Sequence, residues 1–161
     1  MKKTTLFILL FFLLFSPLFA EGVREAPVSD EWSLTVLHTN DVHSHIDKDY
    51  KGRYGAAKIK YTVDKVRSVI DNVLLLDAGD YVMGTVYYTV FEGTADRDVM
   101  NLLDYDAMTL GNHEFDKGNE GMKKFLTGLD TPVVNTNIDF SRYPDIDGFI
   151  QPYLIKWVDG R

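Results

Sequence analysis

Short β-rich apolar segments alternate with amphipathic helical segments along most of this chain. Residues 34–39 and 72–80 have the composition of strands, and residues 56–70 between them carry apolar side chains at helical spacing. Alternating strands and helices are typical of layered α/β folds built on a parallel sheet, so we predict that class for residues 33–161. The pattern continues with a helical segment at 85–106, where Gly93 is a predicted break, and another at 119–129. A strand that ends in a loop is predicted at 106–114, and a further strand at 131–139.

Two further strand features refine this prediction. The run of apolar residues 73–76 is nearly continuous, which suits a strand covered on both faces. Residues 151–161 have the pattern of one strand of a β-hairpin, with Asp159-Gly160 as its turn. The partner strand of that hairpin is not in the sequence.

The amino terminus has the organisation of a secretory signal. Lys2 and Lys3 precede an apolar run at residues 6–15, which is shorter than the roughly 20 residues that cross a membrane. We therefore predict a signal peptide at 1–20, a linker at 21–32, and export to a periplasm or the cell exterior, with no stable membrane span after cleavage. An uncleaved anchor is the alternative, because Leu18 lies where signal peptidases prefer a small residue.

Composition excludes several classes of function. The formal net charge is −7, whereas proteins that bind nucleic-acid polymers present basic surfaces. The chain has no cysteine, so disulfides, thiol catalysis and thiolate metal sites are ruled out. Acidic groups still suit a small phosphate substrate if divalent metal ions lie between the two.

Three of the predicted strands are followed by polar clusters: Asp41-x-His43, Gly79-Asp80 and the run at residues 111–114. Each cluster alone is compatible with an ordinary loop. In parallel α/β sheets, however, the loops beyond the carboxyl ends of the strands meet at one edge. We therefore expect the three clusters to converge and to form a site for hard or borderline divalent cations, which prefer oxygen and imidazole ligands.

The residue types suggest a role for each member of such a site. We expect Asp41 and His43 to hold one ion, Asn112 to bind a second, and Asp80 to bridge the two. Two ions about 3.5–4 Å apart activate water and clamp phosphoryl oxygens.

His113 follows the expected ligand Asn112 and is free to face a substrate. There it would protonate a leaving oxygen or stabilise transition-state charge, with Asp116 three residues later orienting the imidazole. Among the neighbouring residues, Glu114 is expected to hold its loop by hydrogen bonding and Asp77 to cap a turn. His38 is expected to be packed in the strand or to lie behind the metal ligands, and not to be a ligand itself.

The order D-x-H, G-D and G-N-H-E, each after a strand, resembles the calcineurin-like metallophosphatases. The stretches "LLLDAGDYVMGT", "DVMNLLDYDAMTLGNHEFDKG" and "PVVNTNID" are similar to the secreted 5′-nucleotidase branch, which includes the bacterial periplasmic 5′-nucleotidase/UDP-sugar hydrolases. The resemblance covers nearly all of residues 33–161. It implies a layered βαβ sandwich and metal-dependent hydrolysis of small-molecule nucleotides.

By that resemblance, the site residues take the family's roles. Asp41, His43 and Asp80 match ligands of the first metal, Asp80 and Asn112 match ligands of the second, and His113 with Asp116 matches the catalytic pair. The metals would be two divalent ions of Zn, Mn, Co, Fe or Mg. Relatives that open 2′,3′-cyclic nucleotides tend to carry Asn at the position of Asp116, so the sequence favours a 5′-nucleotidase.

One departure from the family is large. Full-length members carry further metal-binding histidines in two Gly-His motifs and then a carboxy-terminal domain that binds the nucleoside, whereas no histidine follows His113 here. The resemblance therefore implies only the amino-terminal half of the sandwich, and we expect the 161-residue chain alone to be inactive. The alternatives are an inactive exported remnant, a cyclic nucleotide phosphodiesterase and a UDP-sugar hydrolase.

Overall fold

The computed structural model describes residues 31–53 and 55–161. Residues Ser33–Arg161 form a compact unit of their own. The predicted signal peptide, and the predicted linker as far as residue 30, lie outside the described residues.

The core of the unit is a five-stranded sheet in which all pairings are parallel and the strands follow one another in chain order. This confirms the predicted α/β class. The strands are β1 (Thr35–Thr39), β2 (Val73–Asp77), β3 (Ala107–Met108), β4 (Val133–Val134) and β5 (Ile150–Gln151).

Helices occupy the connections between the strands. The predicted helical segment at 85–106 is two helices, and they separate at Glu92 and Gly93, both of which have positive φ angles of 50° and 89°. Gly93 is therefore the break that the sequence predicts. The helices are α1 (Ala56–Arg67), α2 (Val86–Phe91), α3 (Thr94–Leu103), α4 (Gly118–Leu126) and α5 (Pro144–Asp147), with a 3₁₀ helix at His113–Phe115.

The hairpin prediction for residues 151–161 is wrong. The only strand described there is β5, which ends at Gln151 and pairs parallel with β4. A hairpin strand needs an antiparallel neighbour, and the described residues offer none to residues 152–157. The predicted turn does form, because Asp159 and Gly160 have φ angles of 51° and 73° and the Val158 amide donates to the Arg161 carbonyl over 3.0 Å.

The apolar core lies on one face of the sheet. In a sheet whose parallel strands follow chain order, right-handed crossovers place every connection on the same side. The side chains buried between that face and the helices include Leu75, Met100, Leu103, Met108, Met122, Phe125, Leu126 and Val133.

The opposite face of the sheet is open within the described part of the chain. Val36 and His38 of β1 are exposed, and their β2 partners Leu74 and Leu76 are only half-buried. An open groove of about 730 Å³ runs along this face. The expectations that β2 is covered on both faces and that His38 is packed are therefore wrong here, while the predicted half-sandwich is confirmed.

Among the residues that the structure describes, no helix combines the length and the apolar character that a membrane crossing requires.

Candidate metal centre

The loops that follow β1, β2 and β3 meet at the carboxyl edge of the sheet, as the sequence predicts. The amide of Asp41 donates to the Gly79 carbonyl over 3.0 Å, and the amide of His43 donates to the Asp80 carbonyl over 3.0 Å. The amide of His113 donates to the Asp80 carboxylate over 2.9 Å. These bonds connect the three loops directly, so their side chains occupy one small volume.

His43, Asp80 and His113 form the centre of this volume. One ligand atom from each lies within 4.8 Å of the others, and the two imidazole rings are 4.8 Å apart in an edge-to-face arrangement. The carboxylate of Asp41 is 3.7 Å from Nε2 of His43. The imidazole of His43 and the carboxylates of Asp41 and Asp80 make a donor set that fits a borderline divalent cation.

Asn112 lies beside this cluster, but within the described residues no hydrogen bond joins its side chain to the cluster. It is exposed and precedes the 3₁₀ helix at His113–Phe115, where its backbone carbonyl accepts from the Phe115 amide over 3.1 Å. Within the described residues its side-chain amide has no hydrogen-bond partner.

The backbone of the centre is strained. Asp41, His43 and Asp80 all have left-handed φ angles, of 51°, 49° and 57°. L-residues adopt this region at a cost, and such strain accumulates at functional sites where the surrounding structure holds it. Three of the four residues that the sequence assigns to metal binding therefore lie at strained positions.

Two glycines allow the β2 and β3 loops to touch. A Cβ atom on Gly79, which has a φ of 98°, would overlap the backbone of Gly111. A Cβ atom on Gly111 would overlap the carboxylate and amide of Asp80. The glycine that precedes each expected ligand is thus required by this close approach.

His113 is paired with Asp116. Its Nδ1 lies 2.6 Å from a carboxylate oxygen of Asp116, so Nε2 is the ring nitrogen left to face the cluster. This hydrogen bond, with a smaller contribution from the negative charges of Asp116, Asp80 and Glu114, raises the pKa of His113 above its ordinary value. The pair that the sequence predicts therefore forms in the structure.

Glu114 holds the β2 and β3 loops together. Its carboxylate is buried and accepts from the amides of Gly111 over 2.7 Å, Tyr81 over 2.9 Å and Asp80 over 3.1 Å, with a longer bond of 3.4 Å from Val82. The expected loop-holding role is confirmed, and it spans two loops, not one.

Asp77 caps the turn at the end of β2, as expected. Its carboxylate accepts from the Gly79 amide over 2.9 Å and from the Thr39 hydroxyl over 2.6 Å. Burial raises the pKa of Asp77 to about 7, against the opposing effect of these two hydrogen bonds.

One buried carboxylate near the centre escaped the sequence reasoning. Asp96 on α3 is fully buried. The signal that could have found it is helical spacing, because Asp96, Met100 and Leu103 recur at the interval that places residues on one inward face.

Comparison with known proteins agrees with this geometry. The family model of the calcineurin-like phosphoesterases matches residues 34–160. The chain is 40% identical to the 5′-nucleotidase of Rattus norvegicus in an alignment of 147 positions that covers 83% of this chain and 26% of that protein. It is 35% identical to the trifunctional nucleotide phosphoesterase protein YfkN of Bacillus subtilis in an alignment of 167 positions that covers 84% of this chain and 11% of that protein.

Solved structures give the same result. The crystal structure of the 5′-nucleotidase precursor from Thermus thermophilus matches with a TM-score of 0.74 at 40% identity, over 80% of this chain and 27% of that one. The chain therefore spans between about a tenth and about a quarter of the length of the relatives it matches. Three findings agree: the metal-ligand cluster at the edge of a parallel sheet, the family model that covers nearly the whole described unit, and the relatives at this identity. The chain therefore belongs to the calcineurin-like phosphoesterase family and matches the amino-terminal part of 5′-nucleotidases.

Proposed function

We propose that Ser33–Arg161 carries the first metal-binding half of an exported hydrolase that removes phosphate from nucleotides. The observation that carries this proposal is the convergence of His43, Asp80 and His113 within 4.8 Å at the carboxyl edge of the sheet. The proposal includes the cleavage of residues 1–20 as a signal peptide and a linker at 21–32.

We assign the cluster to two divalent ions. Asp41 and His43 would hold the first, the amide oxygen of Asn112 would hold the second, and Asp80 would contribute to both. Ions held there would neutralise charge on the phosphoryl oxygens and lower the pKa of water. Zn, Mn, Co, Fe and Mg all accept this mixture of oxygen and imidazole ligands.

The chain's own contribution to phosphate transfer is His113. The Asp116 carboxylate accepts a hydrogen bond from Nδ1–H, and the raised pKa of His113 favours an imidazolium that keeps both ring protons and whose Nε2–H faces the cluster. From there Nε2–H donates to a developing negative charge on a phosphoryl oxygen or on the departing sugar oxygen. The role of Asp116 is to orient the ring and to stabilise its protonated form.

The substrate we favour is a nucleoside 5′-monophosphate. The relatives from Rattus norvegicus and Thermus thermophilus are named 5′-nucleotidases, and the Bacillus subtilis relative is named a nucleotide phosphoesterase. Asp116 at the position where relatives that open cyclic nucleotides tend to carry Asn favours the same choice. Cyclic nucleotides and UDP-sugars are the alternative substrates for the same metal chemistry.

We further propose that the 161-residue chain binds metal weakly and does not turn over by itself. Asp41, His43, Asp80 and Asn112 are four ligands for two ions, and well-populated sites commonly use about four to six ligands for each. The remaining ligands and a nucleoside-binding domain would come from the sequence that the longer relatives contain.

The test is a Mn²⁺ titration of the purified chain, combined with release of phosphate from AMP and from a chromogenic phosphate ester. We expect Mn²⁺ binding that is lost in Asp80→Asn and kept in Asp130→Asn, which removes the same charge from an exposed position. Equal binding by both variants would refute the metal site. Turnover by the chain that disappears in His113→Ala would support the catalytic role and overturn the proposed inactivity.

A further inference from the structure

Helix α2 begins against the turn that carries His43. Thr85 is the amino-terminal cap of that helix, and its hydroxyl donates to the Ser44 carbonyl over 2.9 Å. The same hydroxyl oxygen accepts from the Tyr87 amide over 3.2 Å. A hydroxyl has one proton to donate, and the Tyr87 amide supplies the proton of the second bond, so the hydroxyl proton goes to Ser44. One half-buried side chain therefore starts α2 and joins it to the loop after β1.

The turn at His43 and Ser44 needs such support. The two residues have left-handed φ angles of 49° and 54°, which L-residues adopt at a cost and keep only where the surrounding structure holds them. Backbone bonds hold the amide side of the turn, because the His43 amide donates to the Asp80 carbonyl over 3.0 Å and the Ser44 amide to the Tyr81 carbonyl over 2.8 Å. The Thr85 hydroxyl holds the carbonyl side.

The residue before Thr85 packs directly on His43. Gly84 has a φ of 101°, and a Cβ atom on it would lie 3.1 Å from both the Cβ atom and the carbonyl oxygen of His43. That is closer than the 3.5–4.0 Å at which carbon atoms normally pack. Since the Cβ position of His43 fixes where its imidazole begins, residues 84 and 85 form the wall that sets the direction of this ring.

We propose that Thr85 is a positioning residue for the candidate metal centre: by holding the Ser44 carbonyl, it maintains the strained His43–Ser44 turn and thereby directs His43 towards Asp80 and His113. The part of this proposal that concerns metal affinity rests on the proposed function. The part that concerns the turn does not, because it is a property of the metal-free protein.

A simple helix cap is the competing explanation for Thr85. Aspartate at this position separates the two roles. Its carboxylate is among the best amino-terminal caps and can accept from the Tyr87 amide. It has no proton to donate to the Ser44 carbonyl, however, and its negative charge would face that oxygen. Thr85→Asp should therefore keep the cap and lose the link to the turn.

Three further variants complete the set. Thr85→Val keeps the shape of the side chain and loses both hydrogen bonds, whereas Thr85→Ser keeps the hydroxyl and both bonds. Thr62→Val is the matched control, because it makes the same chemical change on α1. The Thr62 hydroxyl also donates to a backbone carbonyl over 2.9 Å, that of Lys58, and its loss does not touch the turn.

Amide hydrogen exchange is measured by NMR in the metal-free chain at neutral pH. The amides of His43 and Ser44 report on the turn through their bonds to Asp80 and Tyr81. The amide of Tyr87 reports on the cap. The amide of Met100, which is fully buried in α3, reports on global opening.

We expect Thr85→Val to raise the exchange rates of the His43 and Ser44 amides about three- to tenfold relative to Met100, the size expected for one neutral hydrogen bond. Thr85→Asp should raise them at least as much while the Tyr87 amide stays as protected as in the wild type. Thr85→Ser should restore the turn, and Thr62→Val should leave it unchanged.

Two results would overturn the role of Thr85 in the turn. In the first, Thr85→Asp leaves the His43 and Ser44 amides as protected as in the wild type, which would mean that Thr85 only caps α2. In the second, Thr85→Val raises exchange at His43, Ser44 and Met100 by the same factor, which would mean that the whole unit is destabilised.

Thr85→Val, Thr85→Ser and Thr62→Val are then titrated with Mn²⁺; Thr85→Asp is left out because its added charge would itself attract the cation. Where the wild-type chain binds the ion, we expect Thr85→Val to weaken binding about tenfold, as for other residues that orient a ligand from behind, and Thr85→Ser to restore it. A loosened turn with unchanged Mn²⁺ affinity would overturn the positioning of His43. Selective loosening of the turn in a chain that binds no Mn²⁺ would instead refute the proposed function and leave the role of Thr85 in the turn intact.

Discussion

Replacement of Glu114 by glutamine tests whether one carboxylate holds the two loops of the candidate metal centre together. The Glu114 oxygens are shared between two pairs of backbone donors. Oε1 accepts from the amides of Tyr81 and Val82, and Oε2 accepts from those of Asp80 and Gly111. Glutamine has the same shape but replaces one of these acceptors by an NH₂ group, which would face two N–H donors.

The expected loss of stability follows from that geometry. A hydrogen bond to a charged acceptor contributes about 1.5–3 kcal/mol, and an unpaired buried donor costs about 1–3 kcal/mol. Because Glu114 is only 3% exposed, water cannot replace the missing acceptor. We therefore expect Glu114→Gln to lower the free energy of unfolding by roughly 3–5 kcal/mol, which is a large part of the stability of a domain this size.

The assay is urea unfolding of the metal-free chain, followed by circular dichroism, with the free energy obtained by linear extrapolation. Glu120→Gln on α4 is the control, because it makes the same chemical change at an exposed position and should cost less than about 0.5 kcal/mol. If the two variants unfold at the same urea concentration, Glu114 does not hold the loops and the reasoning is wrong.

Two further predictions concern protons at the same edge of the sheet. Since the hydrogen bond from Nδ1–H of His113 to the Asp116 carboxylate raises the pKa of His113, Asp116→Asn should lower that pKa towards 6.5 in an NMR titration of the metal-free chain; an unchanged value would contradict the pairing. The pKa of Asp77 is raised to about 7 in the fold, so its contribution to stability is present below its unfolded pKa of 3.8 and lost as the pH rises through 7. Urea unfolding of the metal-free proteins should therefore show that the free energy of unfolding of the wild type falls by about 4 kcal/mol between about pH 3 and pH 8, relative to that of Asp77→Asn. If the two proteins have parallel profiles of unfolding free energy against pH, a buried Asp77 of raised pKa is excluded.

Sequence patterns were sufficient for the order of the elements and for the location of the site. The alternation of apolar and amphipathic segments predicted a parallel sheet, and the carboxyl ends of neighbouring parallel strands share an edge, so the loops bearing Asp41, Asp80 and His113 had to approach one another. The His113–Asp116 pair was also readable, because both residues lie within one short helical turn.

Predictions that depended on a distant neighbour succeeded less well. Residues 152–157 have a strand-like composition, yet a strand exists only where a partner strand accepts and donates its hydrogen bonds, and the described chain provides none. The segment 106–114 is a strand that ends in a loop, as predicted, but the strand has only the two residues of β3, because the chain then turns to bring Gly111 against Asp80. Local β-propensity contains no information about either event.

The sequence by itself thus determined the α/β class, the edge of the sheet at which the polar clusters meet and the residue types available to a metal ion. Those properties follow from periodicity and chain order, which are local. Only the tertiary structure decided that Glu114 accepts from backbone donors of two loops and that the Asp96 carboxyl of α3 is fully buried. Both depend on which residues meet across tens of positions of sequence, and that is set by the packing of the whole unit around one face of the sheet.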